Sequence, residues 1–139
     1  MKEIIKTLDT RIIRFDNDDE VLAKLVDYCQ TERITAGWIS AIGACKALLL
    51  FFYNPETKKY EEHPVREDLE VVSMTGNIGV YKNAPLIHVH GVFSDNKLKT
   101  FGGHIDKLWV SATLEVRIDI LKGQIDRDDD VKTCLKLMV

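Results

Sequence analysis

The sequence predicts an α+β domain, mainly antiparallel β-sheet with one principal helix. Two observations carry that reading. One stretch places Val21, Leu22, Leu25, Val26 and Cys29 at helical spacing, so that they form a single buried stripe. Most of the remaining chain reads as strands. The longest, Leu108 to Leu121, alternates so regularly that Leu108, Val110, Ala112, Leu114, Val116, Ile118 and Ile120 share one face. One helix against seven or more strands gives the α+β class.

Taken in order, Thr10 to Phe15 is a short strand. The helix follows, with Asn17 as its expected N-cap and Glu20 three residues on, an Asn variant of the capping box. Ala36–Ile42 and Ala44–Tyr53 are rich in β-branched, aromatic and aliphatic residues and meet at Gly43. Asn54 to Lys58 is a turn into a strand from Tyr60 to Arg66. Leu69 to Val80 contains Gly76 and Gly79, which suggests a bulge or a close backbone approach. Leu86–Phe93 and Lys99–Ile105 flank the polar turn Ser94 to Lys97. The acidic run Asp126 to Asp130 reads as a solvated turn, and Val131 to Leu137 as a last strand.

A chain of 139 residues, 45% apolar and 29% charged, fits one domain spanning residues 1–139. At this size a hydrophobic core can hold the fold without staples. Cys29, Cys45 and Cys134 are odd in number and widely spaced. They suit a reducing compartment and read as small buried hydrophobes rather than disulfide or metal partners. The first twenty residues carry charges every few positions, and the longest apolar run, Ala47–Tyr53, is too short to cross a bilayer. A cytoplasmic chain with no membrane partner is the expectation. The net charge of −3 and the scattered basic residues argue against a large nucleic-acid surface.

Three of the four histidines fall between Pro85 and His104. In a strand, His88 and His90 project to the same face. A regular hairpin centred on Lys97 sets His104 opposite His90, so three imidazoles converge from two strands. That is the ligand set of an open zinc site, in which water or substrate completes the coordination. Gly102 and Gly103 remove bulk beside it. The alternative is that His88 and His90 are satisfied polar residues on a half-exposed face. If the Leu108–Leu121 strand pairs beside the His104 strand, Glu115 or Thr113 reaches the open position, and Arg117 contacts an anion. His63 lies in a polar stretch and is given no role. No GxGxxG, GxxxxGK[ST], GxSxG or HExxH motif is present.

The runs Leu69-Glu-Val-Val-Ser-Met-Thr-Gly-Asn-Ile-Gly79, Pro85-Leu-Ile-His-Val-His90 and Gly102-Gly103-His104, with Ala41-Ile-Gly43 upstream, resemble the PPC domain (plants and prokaryotes conserved). The resemblance spans the whole chain, and its specific part lies between residues 69 and 104. It implies an antiparallel sheet sandwich packed as a homotrimer, with His88, His90 and His104 as ligands of a divalent metal ion. In plants the domain accompanies AT-hooks and is linked to DNA binding. This chain has no Arg-Gly-Arg-Pro hook, so DNA binding in isolation is expected to be weak or absent.

Two functions compete. In one, the three histidines hold zinc or a similar ion for chemistry on a small molecule or anion, with Glu115 handling protons. In the other, the chain is a non-catalytic oligomeric module that binds DNA or a transcription-associated partner. For assembly, Val72, Met74 and the apolar face of Leu108–Leu121 offer more aliphatic surface than one helix can cover.

Overall fold

The computed structural model describes residues 1–139. Two short strands, β1 (Lys2–Lys6) and β2 (Thr10–Asp16), precede the helix α1 (Val21–Glu32). Then come β3 (Gly37–Asn54), β4 (Lys59–Val65), β5 (Leu69–Tyr81), β6 (Ala84–Ser94) and β7 (Thr100–Ile120). A small hairpin of β8 (Arg127–Asp129) and β9 (Lys136–Met138) ends the chain.

All strand pairs are antiparallel. The main sheet has seven strands in the order β1-β2-β7-β6-β5-β3-β4, and β7 also pairs with β3 along most of its length. The sheet therefore curls until β3, β5, β6 and β7 close on one another. The sandwich implied by the resemblance takes this form.

Two pairs of expected strands fuse. Ala36–Ile42 and Ala44–Tyr53 are one bent strand, β3, whose pairing shifts at Gly43. Gly43 has φ +151°, and a Cβ there would lie 2.3 Å from the Thr113 carbonyl oxygen. Only glycine can take this conformation at this separation, so the bend is written into one residue. Lys99–Ile105 and Leu108–Leu121 likewise form the single strand β7, with register shifts where it passes Cys45, Ala47 and Leu50 of β3.

The helix buries Val21, Leu22, Leu25 and Cys29, four of the five predicted stripe residues, and packs against β6 and β7. Burying a Val or Leu side chain of this kind stabilises by about 1.5–3 kcal/mol. The cap differs from expectation. Glu20 is the N-cap, and its carboxylate accepts from the Leu22 and Ala23 amides at 3.1 and 2.8 Å. The same carboxylate takes the Leu108 amide at 3.3 Å and so ties the helix start to β7. Asn17 is exposed and lies before the cap, because the intervening turn uses Asp19, whose carboxylate accepts from the Asp16 amide at 3.0 Å.

A single cluster of 24 buried hydrophobic residues draws on α1, β2, β3, β5, β6 and β7. Of the alternating face of β7, Leu108, Val110, Leu114, Val116 and Ile118 lie inside it, as does Met74, and these offer no surface to a partner, whereas Ala112 is exposed. The exposed apolar side chains of the outer sheet face are instead Trp38, Ile42, Val72 and Val92. Cys29 and Cys45 are buried free thiols, whereas Cys134 is exposed and departs from the expected burial. No helix is long and apolar enough to cross a membrane.

Candidate metal centre

Alternation along β6 decides where its histidines point. Val89 is fully buried and Ile87 packs on the core, so His88 and His90 project from the opposite face. The β6–β7 hairpin pairs His90 directly with His104, the register obtained by counting outward from Lys97. On the other side, β5 holds β6 closely. A Cβ at Gly76 would lie 2.0 Å from the His88 carbonyl oxygen, so glycine sets the strand separation behind the site.

The three imidazoles converge. Their centroids stand 5.1–5.2 Å apart in every pair, and one ligand nitrogen from each lies within 4.8 Å of the others. His88 Nε2 and His90 Nε2 are 3.2 Å apart. Two zinc–nitrogen bonds of about 2.0–2.1 Å at a tetrahedral angle set their nitrogens roughly 3.3 Å apart. The first pair already meets that spacing, and a His104 ring nitrogen lies within 4.8 Å of both.

The electrostatics favour ligation. Burial holds the pKa of His104 down to about 4, helped by the neighbouring His88 and His90. His88 is lowered by burial first, then by the positive charge of Arg127 and by His90. Both rings are neutral at physiological pH and offer lone pairs. Neutral nitrogen donors suit zinc and similar ions better than magnesium or calcium, which prefer oxygen. The residues present therefore fit a zinc-type ion.

Several members of this neighbourhood were not legible as site residues. Phe51 and Tyr60 stack on the His104 ring at centroid distances of 6.1 and 5.5 Å. Asn77, buried in β5, stands directly across from His88. Arg127 reaches in from β8, with its Nη2 3.4 Å from His88 Nδ1 and 2.7 Å from Asn77 Oδ1. It sits inside the acidic run expected to be a solvated turn. The single arginine among four aspartates was the available signal.

A cleft of about 390 Å³ opens beside His104, between the start of α1, β6, β7 and the terminal hairpin. Val26, Leu86, Asp106, Lys107 and Lys136 line it with His104. Asp106 lies two residues beyond His104 on the same strand and is half-buried.

The structure does not bring Glu115 to the histidines. Glu115 and His104 occupy one continuous strand, separated by eleven positions, or roughly 35 Å of extended chain. Glu115 is paired with Arg14 and Ile42, and with Arg117 it lines a different cavity that includes Ser40 and Thr75. Thr113 lies on the same distant segment. The expectation treated β7 as two strands lying side by side, and their fusion carries Glu115 away. His63 lies exposed on β4 opposite Leu50.

Comparison with known proteins agrees with this architecture. No curated protein matches the chain. Among solved structures, a metal-containing protein from Archaeoglobus fulgidus is 27% identical, with 100% of this chain and 99% of that one covered and a TM-score of 0.89. A protein from Bacteroides thetaiotaomicron, provisionally named as DNA-binding, is 25% identical over 99% of this chain and 96% of its own, with a TM-score of 0.95. A plant- and prokaryote-conserved protein from Pyrococcus horikoshii shares the fold at 21% identity, 96% coverage of each chain and a TM-score of 0.84. The profile of the Plants and Prokaryotes Conserved (PCC) domain matches residues 4–122, and the chain belongs to that family.

Proposed function

We propose that this chain holds one zinc-type divalent ion through His88, His90 and His104, leaving a position open for water, a small molecule or an anion. The observation that supports it is the convergence of three imidazoles with no further histidine, cysteine or carboxylate in the cluster. A structural zinc site closes with four protein ligands, whereas a three-ligand site keeps an exchangeable position. The metal-containing name of the Archaeoglobus relative points the same way.

A bound ion of this kind supplies Lewis acidity and lowers the pKa of a coordinated water. The chain's own contribution is to orient and shield. Phe51 and Tyr60 fix the plane of His104, and the cleft beside it admits a small ligand. Asp106, which lines that cleft, is better placed than Glu115 to exchange protons there. A cytoplasmic setting and assembly into a homotrimer belong to the same reading. The exposed Trp38, Ile42, Val72 and Val92 give the outer sheet face an apolar surface for a second copy. X-ray absorption at the metal edge tests the proposal: three imidazole ligands with one exchangeable light ligand support it, and four protein ligands contradict it.

The second reading, a DNA-binding module, draws support from the name of the Bacteroides relative. The net charge of −3 opposes it, because duplex affinity depends on neutralising several phosphates. Titration with duplex DNA at physiological salt separates the two. We expect non-specific affinity, on the order of 10⁻⁴ M or weaker. A sub-micromolar, sequence-dependent constant would favour the second reading.

A further inference from the structure

We infer that the terminal hairpin of β8 and β9 is a strap across the three-histidine face, hinged at Gly123, whose opening sets how fast an ion enters or leaves. The strap itself stands on geometry, and only its effect on ion exchange rests on the metal reading above.

In this part of the molecule the strands run β5-β6-β7-β3. Asn77 is paired with His88, His90 with His104, and His104 with Phe51. The hairpin is fastened to the outer two of these four strands. On β5, Arg127 donates through Nη2 to Asn77 Oδ1 at 2.7 Å and stands 3.4 Å from His88 Nδ1. The Tyr81 hydroxyl donates to the Asp129 carboxylate at 2.8 Å, and the Lys136 ammonium lies 4.6 Å over the Tyr81 ring. On β3, the Tyr53 hydroxyl donates to the Thr133 carbonyl at 2.6 Å. The Tyr53 ring meets Tyr60 edge-on at 5.7 Å, and Tyr60 in turn stacks on His104. Three inter-strand spacings separate the two flanks, roughly 14 Å in all. The chain from Arg127 to Thr133 can reach roughly 20 Å when extended, enough to cross β6 and β7 between them.

Burial agrees with such a cover. The three imidazoles share one face, yet His90 is exposed while His88 and His104 are half-buried. His88 is the ring beside Arg127, so the hairpin accounts for its shielding.

The hairpin is also built to open. None of its residues belongs to the 24-residue core, and its two strands form a sheet of their own. A two-stranded hairpin is marginal by itself in water, so closure depends on the fastenings. Its root is tied by backbone, where Ile125 accepts from the Val80 amide at 2.7 Å and donates to the Thr35 carbonyl at 3.2 Å. Further out the hold comes from the Tyr81, Lys82 and Tyr53 contacts, and the exposed Lys82–Asp129 pair adds little. A segment held this way opens at lower free energy than the core. Gly123 precedes the root with φ +108° and no atom within 4 Å of where a Cβ would stand, which leaves room for a hinge. The whole strap lies beyond the 4–122 segment that matches the family.

The test labels metal-free, full-length protein with diethyl pyrocarbonate and reads the rate at each histidine by tandem mass spectrometry. In wild type His88 should react at least tenfold more slowly than His90. The double variant Tyr53→Phe with Asp129→Ala, which loosens both flanks without touching a histidine, should speed His88 fivefold or more and leave His63 and His90 unchanged. Wild-type His88 as reactive as His90 overturns the strap, and so does a variant in which His88 keeps its wild-type rate. Circular dichroism checks the fold, and if the double variant unfolds, Tyr53→Phe alone serves for the same comparison. In zinc-loaded protein the variant should release zinc to excess chelator at least fivefold faster, with an equilibrium affinity within threefold of wild type. Equal release rates overturn the effect on exchange. A chain that takes up no zinc overturns the metal reading instead, and the labelling rates still decide the strap.

Discussion

His90 on β6 and His104 on β7 are directly paired across the sheet, with imidazole centroids 5.2 Å apart. Strand register is thereby a determinant of the three-histidine geometry. A slip of one residue would turn His104 to the opposite face.

The β5–β6 contact behind the pair is the first place to test this dependence. Gly76→Ala forces a Cβ to within 2.0 Å of the His88 carbonyl oxygen, with the Val89 Cα only 2.6 Å away. Backbone must move to admit it. We expect a loss of about 1–3 kcal/mol in urea unfolding, together with weaker zinc binding in a chelator competition. Unchanged stability and zinc affinity would show that β6 is not held from behind.

The histidine pairing was legible in sequence because two simple rules act on it, the two-residue period of a strand and the symmetry of a hairpin about Lys97. Neither rule needs tertiary information. Glu115 was misplaced because sequence pattern cannot tell two adjacent strands from one bent strand, and the bend depends on how β7 packs along β3. Arg127 was missed for a related reason. Its aspartate neighbours dominate the local composition, and only the docking of the terminal hairpin on β5 carries its guanidinium to His88. Glu20 was assigned to the capping box at its third helical position, whereas the Asp19 turn delays the helix and makes Glu20 the cap itself.

Protonation of the site gives a second prediction. In metal-free protein the folded chain protonates His104 only near pH 4, whereas the unfolded chain does so near the ordinary value of 6.5. Between those values the unfolded state binds more protons. Stability from this residue is therefore fully present above about pH 6.5 and is lost as the pH falls towards 4. After allowing for solvent screening the loss is on the order of 1–2 kcal/mol. Chelated wild type should show this acid slope in urea midpoints, and His104→Gln should flatten it.

Metal removal tests how far the site supports the fold. No histidine belongs to the 24-residue core, so we expect the chain to stay folded without an ion. Chelation should lower the melting temperature by about 5–10 °C, the size expected for losing a ligand that binds only the native state. Unfolding at room temperature on adding chelator would make the ion structural.

Assembly is checked by sedimentation equilibrium. The expected mass is three times the 15.9 kDa of one chain. Ile42→Lys and Val72→Glu place charge on the exposed apolar face and should shift the mass towards that of a single chain. A wild type that remains monomeric at all concentrations contradicts the trimer.

The central claim is that His88, His90 and His104 form one metal site, and elemental analysis of purified protein after zinc supply and dialysis tests it most directly. The account predicts close to one ion per chain in wild type and in His63→Ala, and none in the double variant His88→Ala with His90→Ala. Folding of the double variant is checked by circular dichroism. Wild type that retains no metal, or a folded double variant that retains a full equivalent, would contradict it.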